Sequence, residues 1–462
     1  MTPLSPLDAL FLHLETPATP MHVGALHLLQ PPRTGDDFLE RLRRHVAARL
    51  HLAAPFTRRL APLPLQFADP VWIESGEIDL DWHVRRVRLP APGSQAQLEV
   101  ATARLHAQNL DRNRPLWRMT LIEGLASGQL ALYTQFHHAA LDGAAGVMLG
   151  LTLLDPGPRP RRPPPPPPRS AQPVPSAWEL TRAGLASNSR KTVRLLRQTP
   201  RWLTTLGRSA AALTDRRLRT RFGLAPHTAL NVAIEAPRRV ATLSLPLAEL
   251  KATARRHGVS LNDVVLAIVA GGLRTYLDPG LPDAALVAAL PVSLRAASDR
   301  AFGTRATLAL ASLATDIDDP LERLQAIHAS AVLAKGRTAP LRGLLPEDLP
   351  SFGLPWLLSA SARLYAASKL GERLRPLANL VVSNVPGPPE PLWLAGARLS
   401  SWWPLSIVEH GLGLNITVLS YAGAVDFGLV SAKNALSDPA RLARAMKKAS
   451  AELAALEPQE TR

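Results

Sequence analysis

Apolar residues recur at both helical and strand spacing along the first third of this chain. Residues 36–50 carry an apolar side chain at every fourth position behind an aspartate, which predicts an amphipathic helix with an N-terminal cap. Residues 98–110 repeat that spacing, while strand-like apolar runs lie at residues 84–89, 119–123 and 130–136. Helices and strands are therefore predicted to alternate in an α/β manner.

The same alternation is predicted to continue after residue 238. Strands are predicted at residues 240–245, 286–292, 380–385 and 412–420, and helices at residues 247–257, 262–276 and 320–334. One further helix is predicted in the first part of the chain, at residues 144–154. The pattern thus predicts an α/β (α+β) protein on both sides of a central interruption.

That interruption is a proline-rich segment at residues 156–175, where eleven of the twenty residues are proline. Such a composition cannot form a packed element and favours an extended polyproline II spacer. We therefore predict an N-terminal half (1–155), a linker (156–175) and a C-terminal half (176–462). A proline tract of this kind can also be a ligand for an aromatic-lined recognition domain.

The stretch that follows the linker is strongly basic. Residues 176–222 contain eleven Arg or Lys and two acids, with tryptophan and leucine interleaved, and Pro200 interrupts them. The pattern predicts two basic amphipathic helices. Either the basic face is solvated while the helices pack on the protein, or it adheres to a membrane surface.

Composition and charge exclude several kinds of functional site. The chain of 462 residues has no cysteine, which excludes disulfides, zinc–cysteine sites and cysteine nucleophiles. Its formal charge of +16 favours anionic partners. No nucleic-acid reader motif accompanies the charge. The first thirty residues lack a basic signal-peptide region, and no apolar stretch is long enough to span a membrane, so we expect a cytosolic protein with peripheral membrane contact.

Residues 129–143 hold the most suggestive chemistry. A predicted strand ends on His137 and His138, and Asp142 and Gly143 follow after a short turn. Side chains of successive strand residues face opposite ways, so we expect one imidazole to act alone as a general base. A metal pair is the alternative, but no further ligand spacing completes a coordination shell, and no metal is expected.

The segment FHHAALDG at residues 136–143 resembles the HHxxxDG motif of CoA-dependent acyltransferases related to chloramphenicol acetyltransferase and peptide-synthetase condensation domains. Five further segments resemble the bacterial wax ester synthase/diacylglycerol acyltransferase family. They are the opening at residues 3–26, PLW at 115–117, the ND motif in SLNDVVLAIVAG at 260–271, and SNVPGP at 383–388 together with GLGLNITVLSYAGAVDFGL at 411–429. The resemblance extends to about residue 442.

The resemblance implies a role for each residue of the histidine motif. His138 would be the general base, His137 would support it, and Asp142 would hold the geometry of the motif, which we expect it to do through an ion pair with an arginine. Gly143 permits the tight turn into the next helix.

Other motif residues receive roles by the same resemblance. Asn262 and Asp263 would help to organise the active site, although Ser-Leu-Asn-Asp before an apolar helix is also an N-cap signal. Asn262 is expected close to His138.

Substrate binding is assigned to Gly24 in the opening motif, to Trp117, and to Ser383 and Asn384 in SNVPGP. Trp117 can equally be a core or tunnel-wall aromatic, since indole offers a single donor. SNVPGP can equally be a rigid turn after a strand.

The implied fold is two chloramphenicol-acetyltransferase-like subdomains with a tunnel at their interface. The implied reaction moves a long-chain acyl group from acyl-CoA, a co-substrate rather than a cofactor, to a fatty alcohol or diacylglycerol. Partners would be these substrates and the surface of the inner membrane or lipid bodies. The alternatives are a condensation-type acyltransferase with another acceptor and a non-catalytic lipid-body scaffold.

Overall fold

The computed structural model describes residues 1–32, 35–61, 69–141, 143–166, 225–293, 306–341 and 375–457, together with isolated positions between 176 and 186 and between 360 and 372. Within them the helices are α1 (Pro6–Leu14), α2 (Phe38–Ala47), α3 (Ala54–Thr57), α4 (Leu80–His83), α5 (Gln95–His106), α6 (Gly143–Leu153), α7 (Leu247–Arg256), α8 (Leu261–Leu277), α9 (Pro320–Leu341) and α10 (Pro439–Ala455). The strands are β1 (Thr2–Pro3), β2 (His22–Gln30), β3 (Arg58–Ala61), β4 (Val71–Glu74), β5 (Val84–Arg88), β6 (Trp117–Glu123), β7 (Leu130–His137), β8 (Arg238–Pro246), β9 (Val287–Ser293), β10 (Ala306–Ser312), β11 (Leu380–Val385), β12 (Trp393–Leu394), β13 (Ala397–Leu405), β14 (Leu414–Tyr421) and β15 (Ala424–Ala432).

Outside residues 176–222, most of which lie outside the described residues, the predicted elements are present with small shifts of their ends. The six helices predicted there correspond to α2, α5, α6, α7, α8 and α9, and the predicted strands correspond to β5, β6, β7, β8, β9, β11 and β14. Helix α2 has the expected aspartate cap, since the side chain of Asp37 accepts a hydrogen bond from the Leu39 N–H. The α/β alternation predicted from the sequence is confirmed.

The strands form two six-stranded mixed sheets and one small sheet. The first large sheet has the order β12-β13-β2-β7-β6-β5, and the second has the order β10-β9-β11-β14-β15-β8. Strands β1, β4 and β3 form the small sheet. The HHxxxDG histidines lie at the end of β7, in the middle of the first large sheet.

Two strands of the first sheet come from the far end of the chain. Strand β13 pairs antiparallel with β2, with Leu405 opposite Gly24, and β12 pairs with β13. Residues 393–405 therefore complete the sheet of the N-terminal half although they follow the linker by more than two hundred positions. The sequence did not predict this exchange.

The core of the second half is built around α8. Its residues 263–273 are all buried, so this helix is apolar on every side and lies inside the fold rather than on its surface. Helix α10 packs closely on α8 at Gly272, because a Cβ at this position would overlap Met446 of α10. This contact fixes the C-terminal part of α8 against α10.

Polar contacts join the two halves. Glu99 on α5 accepts hydrogen bonds from the N–H and the hydroxyl of Thr242 on the edge strand β8, at 2.9 and 2.8 Å. Buried Asp426 on β15 accepts the Trp402 N–H of β13 at 2.6 Å. Burial raises the pKa of both carboxyl groups, and these bonds compensate part of the cost of burying them.

The described part of the proline-rich segment lies against the N-terminal half. The Arg49 guanidinium donates to the Arg161 carbonyl at 2.7 Å, and the His51 ring donates to the Pro164 carbonyl at 2.9 Å. Arg161 also donates to the buried carboxylate of Asp155 at 3.0 Å. Residues up to 164 are thus anchored, which the prediction of a plain spacer did not include.

Among the described residues, no single helix meets the length and hydropathy required to cross a bilayer. Helices α7 and α8 meet the requirement only when taken together, across a bend of 101°.

Candidate active site

The two motif histidines end β7 and differ in accessibility. His137 is fully buried, whereas His138 in the following turn keeps accessible surface. The backbone holds both, since the His137 N–H donates to the Leu116 carbonyl at 3.0 Å and the His138 N–H donates to the Met21 carbonyl at 2.8 Å. Of the two histidines, only His138 has surface that a substrate could reach.

Both ring nitrogens of His137 face protein groups. Its Nδ1 accepts the Ala139 N–H at 3.0 Å, and its Nε2 lies 3.3 Å from Oε1 of Glu15. Because a backbone N–H can only donate, Nδ1 is the ring nitrogen without a proton, and Nε2 is the nitrogen nearest the carboxylate. This arrangement fixes the orientation of His137.

Glu15 is a central part of this site and was not predicted from the sequence. It follows α1, is almost completely buried, and also accepts two hydrogen bonds from Arg112, at 2.7 and 3.0 Å. Burial alone would raise the pKa of Glu15, but His137 and Arg112 outweigh burial and lower it to about 2. The carboxylate is therefore ionised at neutral pH.

Helix α1 supports His138 as well. The Phe11 ring stacks on the His138 imidazole with centroids 3.9 Å apart and an interplanar angle of 19°. Phe11 and Glu15 are four positions apart and so lie on one side of the helix end. The N-terminal segment thereby contacts both histidines.

A second layer of buried polar side chains lies beside the motif. His22 is opposite His137 in the β2–β7 register, and its Nε2 is 3.1 Å from the Gln135 amide nitrogen. His106 donates to the Ser406 carbonyl at 3.1 Å, and its other nitrogen accepts from the Tyr133 hydroxyl at 2.5 Å. Burial lowers the pKa of both histidines, that of His106 to about 4. At neutral pH this layer is uncharged.

Gly24 is required by that layer. A Cβ at this position would lie 2.6 Å from the Tyr133 hydroxyl and 2.8 Å from the Thr134 carbonyl oxygen. The absence of a side chain at Gly24 thus allows the Tyr133 hydroxyl to reach His106. The assignment of Gly24 to substrate binding stays a prediction beside this packing role.

Trp117 is completely buried. Its indole N–H donates to the Phe56 carbonyl at 3.0 Å, and its ring stacks on His83 at 4.1 Å. These contacts agree with the alternative expected from the sequence, that Trp117 is a core or tunnel-wall aromatic. Contact with substrate is a prediction that would require the side chain to move.

The ND motif lies at the start of α8. The N-cap of this helix is Ser260 rather than Asn262, and Asp263 completes a capping box with it. Asp263 also accepts from His328 on α9 at 2.8 Å. Burial would raise the pKa of Asp263, but the His328 and Ser260 hydrogen bonds lower it overall.

Asn262 is brought together with the SNVPGP motif. The amide nitrogen of Asn384, which is exposed at the end of β11, lies 3.4 Å from the Asn262 side-chain oxygen. Ser383, its half-buried neighbour, is in the same strand beside β14. Proximity of Asn262 to His138 remains a prediction.

Other candidate residues cannot be placed in this way. Asp142 and most of the basic stretch at residues 176–222 lie outside the described residues. Gly143 is the first residue of α6, as the motif predicts. Within the described ranges no group of three or more His, Asp or Glu side chains is arranged to hold a metal ion.

Comparison with known proteins identifies relatives along nearly the whole chain. Residues 4–265 match the wax ester synthase/diacylglycerol acyltransferase catalytic domain, and residues 302–454 match the C-terminal domain of the same family. A putative diacylglycerol O-acyltransferase of Mycobacterium tuberculosis is 39% identical over 436 residues, which cover 94% of this chain and 95% of the relative. A probable diacylglycerol O-acyltransferase of the same organism is 35% identical over 464 residues, covering 95% and 96%.

Solved structures show the same relationship. The wax ester synthase/diacylglycerol acyltransferase from Marinobacter aquaeolei VT8 superposes with a TM-score of 0.70 at 32% identity, covering 98% of this chain and all of that one. The first condensation domain of the calcium-dependent antibiotic synthetase superposes with a TM-score of 0.54 at 15% identity, covering 100% of this chain and 97% of that one. This second similarity supports the condensation-domain-like fold alone.

Proposed function

Because the chain belongs to the wax ester synthase/diacylglycerol acyltransferase family and is an acyltransferase, we propose that it transfers a long-chain acyl group from acyl-CoA to a fatty alcohol or a diacylglycerol. The observation that carries the proposal is the contrast within the histidine pair. His137 is buried in contact with Glu15, whereas His138 keeps accessible surface and stacks on the Phe11 ring.

His138 is the general base of the proposed reaction. Its imidazole takes the proton of the acceptor hydroxyl, and the oxygen attacks the thioester carbonyl carbon to form a tetrahedral oxyanion. The C–S bond then breaks, and the CoA thiolate takes up the proton from the imidazolium. No covalent acyl-enzyme is needed, which agrees with a chain that has no cysteine.

The other motif residues support this reaction. Asn262 and Asn384 organise the reaction centre as a contacting pair, and Asp263 fixes the first turn of α8 that presents Asn262. His137 keeps its neighbour in place through the end of β7. Ser383 lies beside Asn384 and contributes to substrate binding.

Lipid substrates require access to a membrane or lipid-body surface. The eleven basic residues at positions 176–222 supply the charge for peripheral binding to anionic lipid, and Trp178 in this stretch is 71% exposed. We assign the surplus of arginine in part to the phosphates of CoA, because guanidinium binds phosphate through two donors.

The acceptor class is tested by competition. Release of CoA from palmitoyl-CoA is followed with hexadecanol, dioleoylglycerol or a long-chain amine as acceptor. Rapid release with either hydroxyl compound and slow release with the amine is expected. Faster release with the amine would instead favour a condensation-type acyltransferase, and no release with any acceptor would favour a non-catalytic role.

A further inference from the structure

The stacked contact between Phe11 and His138 joins helix α1 directly to the proposed general base. The ring centroids are 3.9 Å apart and the interplanar angle is 19°, so one face of the imidazole lies against the Phe11 ring. Both residues are half-buried, and the His138 N–H donates to the Met21 carbonyl at 2.8 Å. The backbone of His138 is therefore held by Met21, and its ring is held by Phe11.

Hydrogen bonds fix the helix that carries Phe11. The helix begins with a side-chain N-cap at Ser5. At its other end, Arg112 donates to the Leu12 carbonyl at 2.7 Å and to the Glu15 carboxylate at 2.7 Å. The Glu15 N–H donates to the Phe11 carbonyl at 3.2 Å. Phe11 thus lies in a short helix that is held at both ends.

The plane of a histidine ring is not fixed by its own side-chain torsion. Rotation about the bond from Cβ to the imidazole is broad, whereas a general base must keep one ring nitrogen within about 2.6–3.2 Å of the oxygen that loses its proton. A ring stacked at 3.9 Å restricts this rotation, because turning the imidazole out of its plane would drive its edge into the Phe11 ring. The same aromatic face attracts the imidazolium that forms when His138 takes the proton.

We propose that Phe11 is a positioning residue that holds the His138 imidazole in the plane required to accept the proton of the acceptor hydroxyl. This inference rests on the proposed role of His138 as general base. A leucine at position 11 would fill part of the volume but would offer no flat face, so the imidazole could rotate. A tyrosine would keep the flat face.

The test measures CoA release by the full chain from palmitoyl-CoA with saturating dioleoylglycerol. Phe11→Leu is expected to lower kcat roughly 10- to 100-fold and to leave the KM for palmitoyl-CoA within about twofold, because a misplaced base slows the chemical step without weakening substrate binding. Phe11→Tyr is expected to keep kcat within about threefold. Phe38→Leu is the matched control, because Phe38 packs in the apolar core at the start of α2, and its kcat is expected to be unaltered.

A double substitution shows whether Phe11 acts through His138. In the His138→Ala protein, Phe11→Leu is expected to change the residual rate of CoA release by less than about twofold, since no imidazole remains to be held. A further fall as large as the one in the unaltered chain would show that Phe11 acts on another group, and it would overturn the inference.

The remaining outcomes separate this inference from the proposed function. Folded Phe11→Leu protein with an unaltered kcat, or a fall in kcat that Phe11→Tyr shares, would overturn the positioning role and leave the acyl transfer standing. A raised KM with an unaltered kcat would overturn it as well, because Phe11 would then line the acyl-CoA site. If Phe11→Leu does not fold, as judged by thermal unfolding, Phe11→Met supplies the non-aromatic substitution. Absence of CoA release by the unaltered chain would contradict the proposed function itself.

Discussion

Nε2 of His137 lies 3.3 Å from Oε1 of Glu15, and this contact ties the end of β7 to the N-terminal helix. The neighbouring His138 is held by the same segment, through Phe11 and the Met21 carbonyl. The geometry of the proposed general base therefore depends on residues more than a hundred positions earlier in the chain.

Glu15→Gln is expected to lower the free energy of unfolding at pH 7 by on the order of 1–3 kcal/mol, because a buried carboxylate paired with His137 and Arg112 is removed. The pKa of Glu15 falls from 4.5 to about 2 in the folded chain. A lowered folded-state pKa stabilises the protein above pH 4.5, and this stabilisation is lost as the pH falls toward 2. Urea unfolding at pH 7 and at about pH 3.5 measures the difference.

The control for this prediction is Glu40→Gln, which removes an exposed carboxylate that pairs with Arg43 on α2. Exposed pairs contribute little, so the change is expected to be within about 0.5 kcal/mol. Equal effects of the two substitutions at pH 7 would show that the Glu15 contact is not a stabilising one.

Gly24→Ala is expected to lower the free energy of unfolding by about 1–3 kcal/mol, because the added Cβ would overlap the Tyr133 ring and the Thr134 carbonyl. Gly76→Ala is the matched control, since a Cβ there meets nothing within 4 Å. Thermal unfolding of both variants checks the difference. If Gly24→Ala were as stable as the control, Tyr133 would have to be free to move away from β2.

Asn262 and Asp263 are adjacent but are expected to respond differently to alanine. Asn262→Ala should slow CoA release roughly 10- to 100-fold with little loss of stability, as a group near the reaction centre does. Asp263→Ala should lower the free energy of unfolding by about 1–2 kcal/mol, because the capping box and the His328 contact are lost. Kinetics and urea unfolding on both variants test the distinction, and a destabilised but fully active Asn262→Ala would reverse it.

Residues 176–222 are expected to bind anionic lipid at low salt. Each cationic residue near such a surface contributes about 1 kcal/mol, screened by salt. In vesicle flotation, binding should decrease when Arg190, Lys191, Arg194 and Arg197 are replaced by Gln, and also when anionic lipid is replaced by neutral lipid. Identical flotation in all conditions would rule out an electrostatic contribution.

Local sequence patterns predicted the elements that are buried either on one face or on all sides. The four-residue spacing in α2 and the continuous apolar run of α8 are both signals within a single helix. Strand β2 was missed because its half-buried and buried positions do not alternate. The joining of β13 to β2 could not be predicted, since no local pattern says which sheet a strand enters.

The residues of the candidate site show the same difference between those that a local motif reveals and those that it does not. The histidine pair was found because its motif is contiguous, and Asn262 because of the ND motif. Glu15 has partners at positions 112 and 137, about a hundred positions away along the chain. Such long-range partners leave no local signal in a single sequence.

The rate of CoA release by His138→Ala, with palmitoyl-CoA and dioleoylglycerol as substrates, tests the central claim most directly. Loss of the general base is expected to lower this rate on the order of 10²- to 10⁴-fold while thermal unfolding stays that of a folded protein. His137→Ala, which alters the buried neighbour, should leave measurable activity. A folded His138→Ala protein that releases CoA at the unaltered rate would contradict the assignment of His138 as general base.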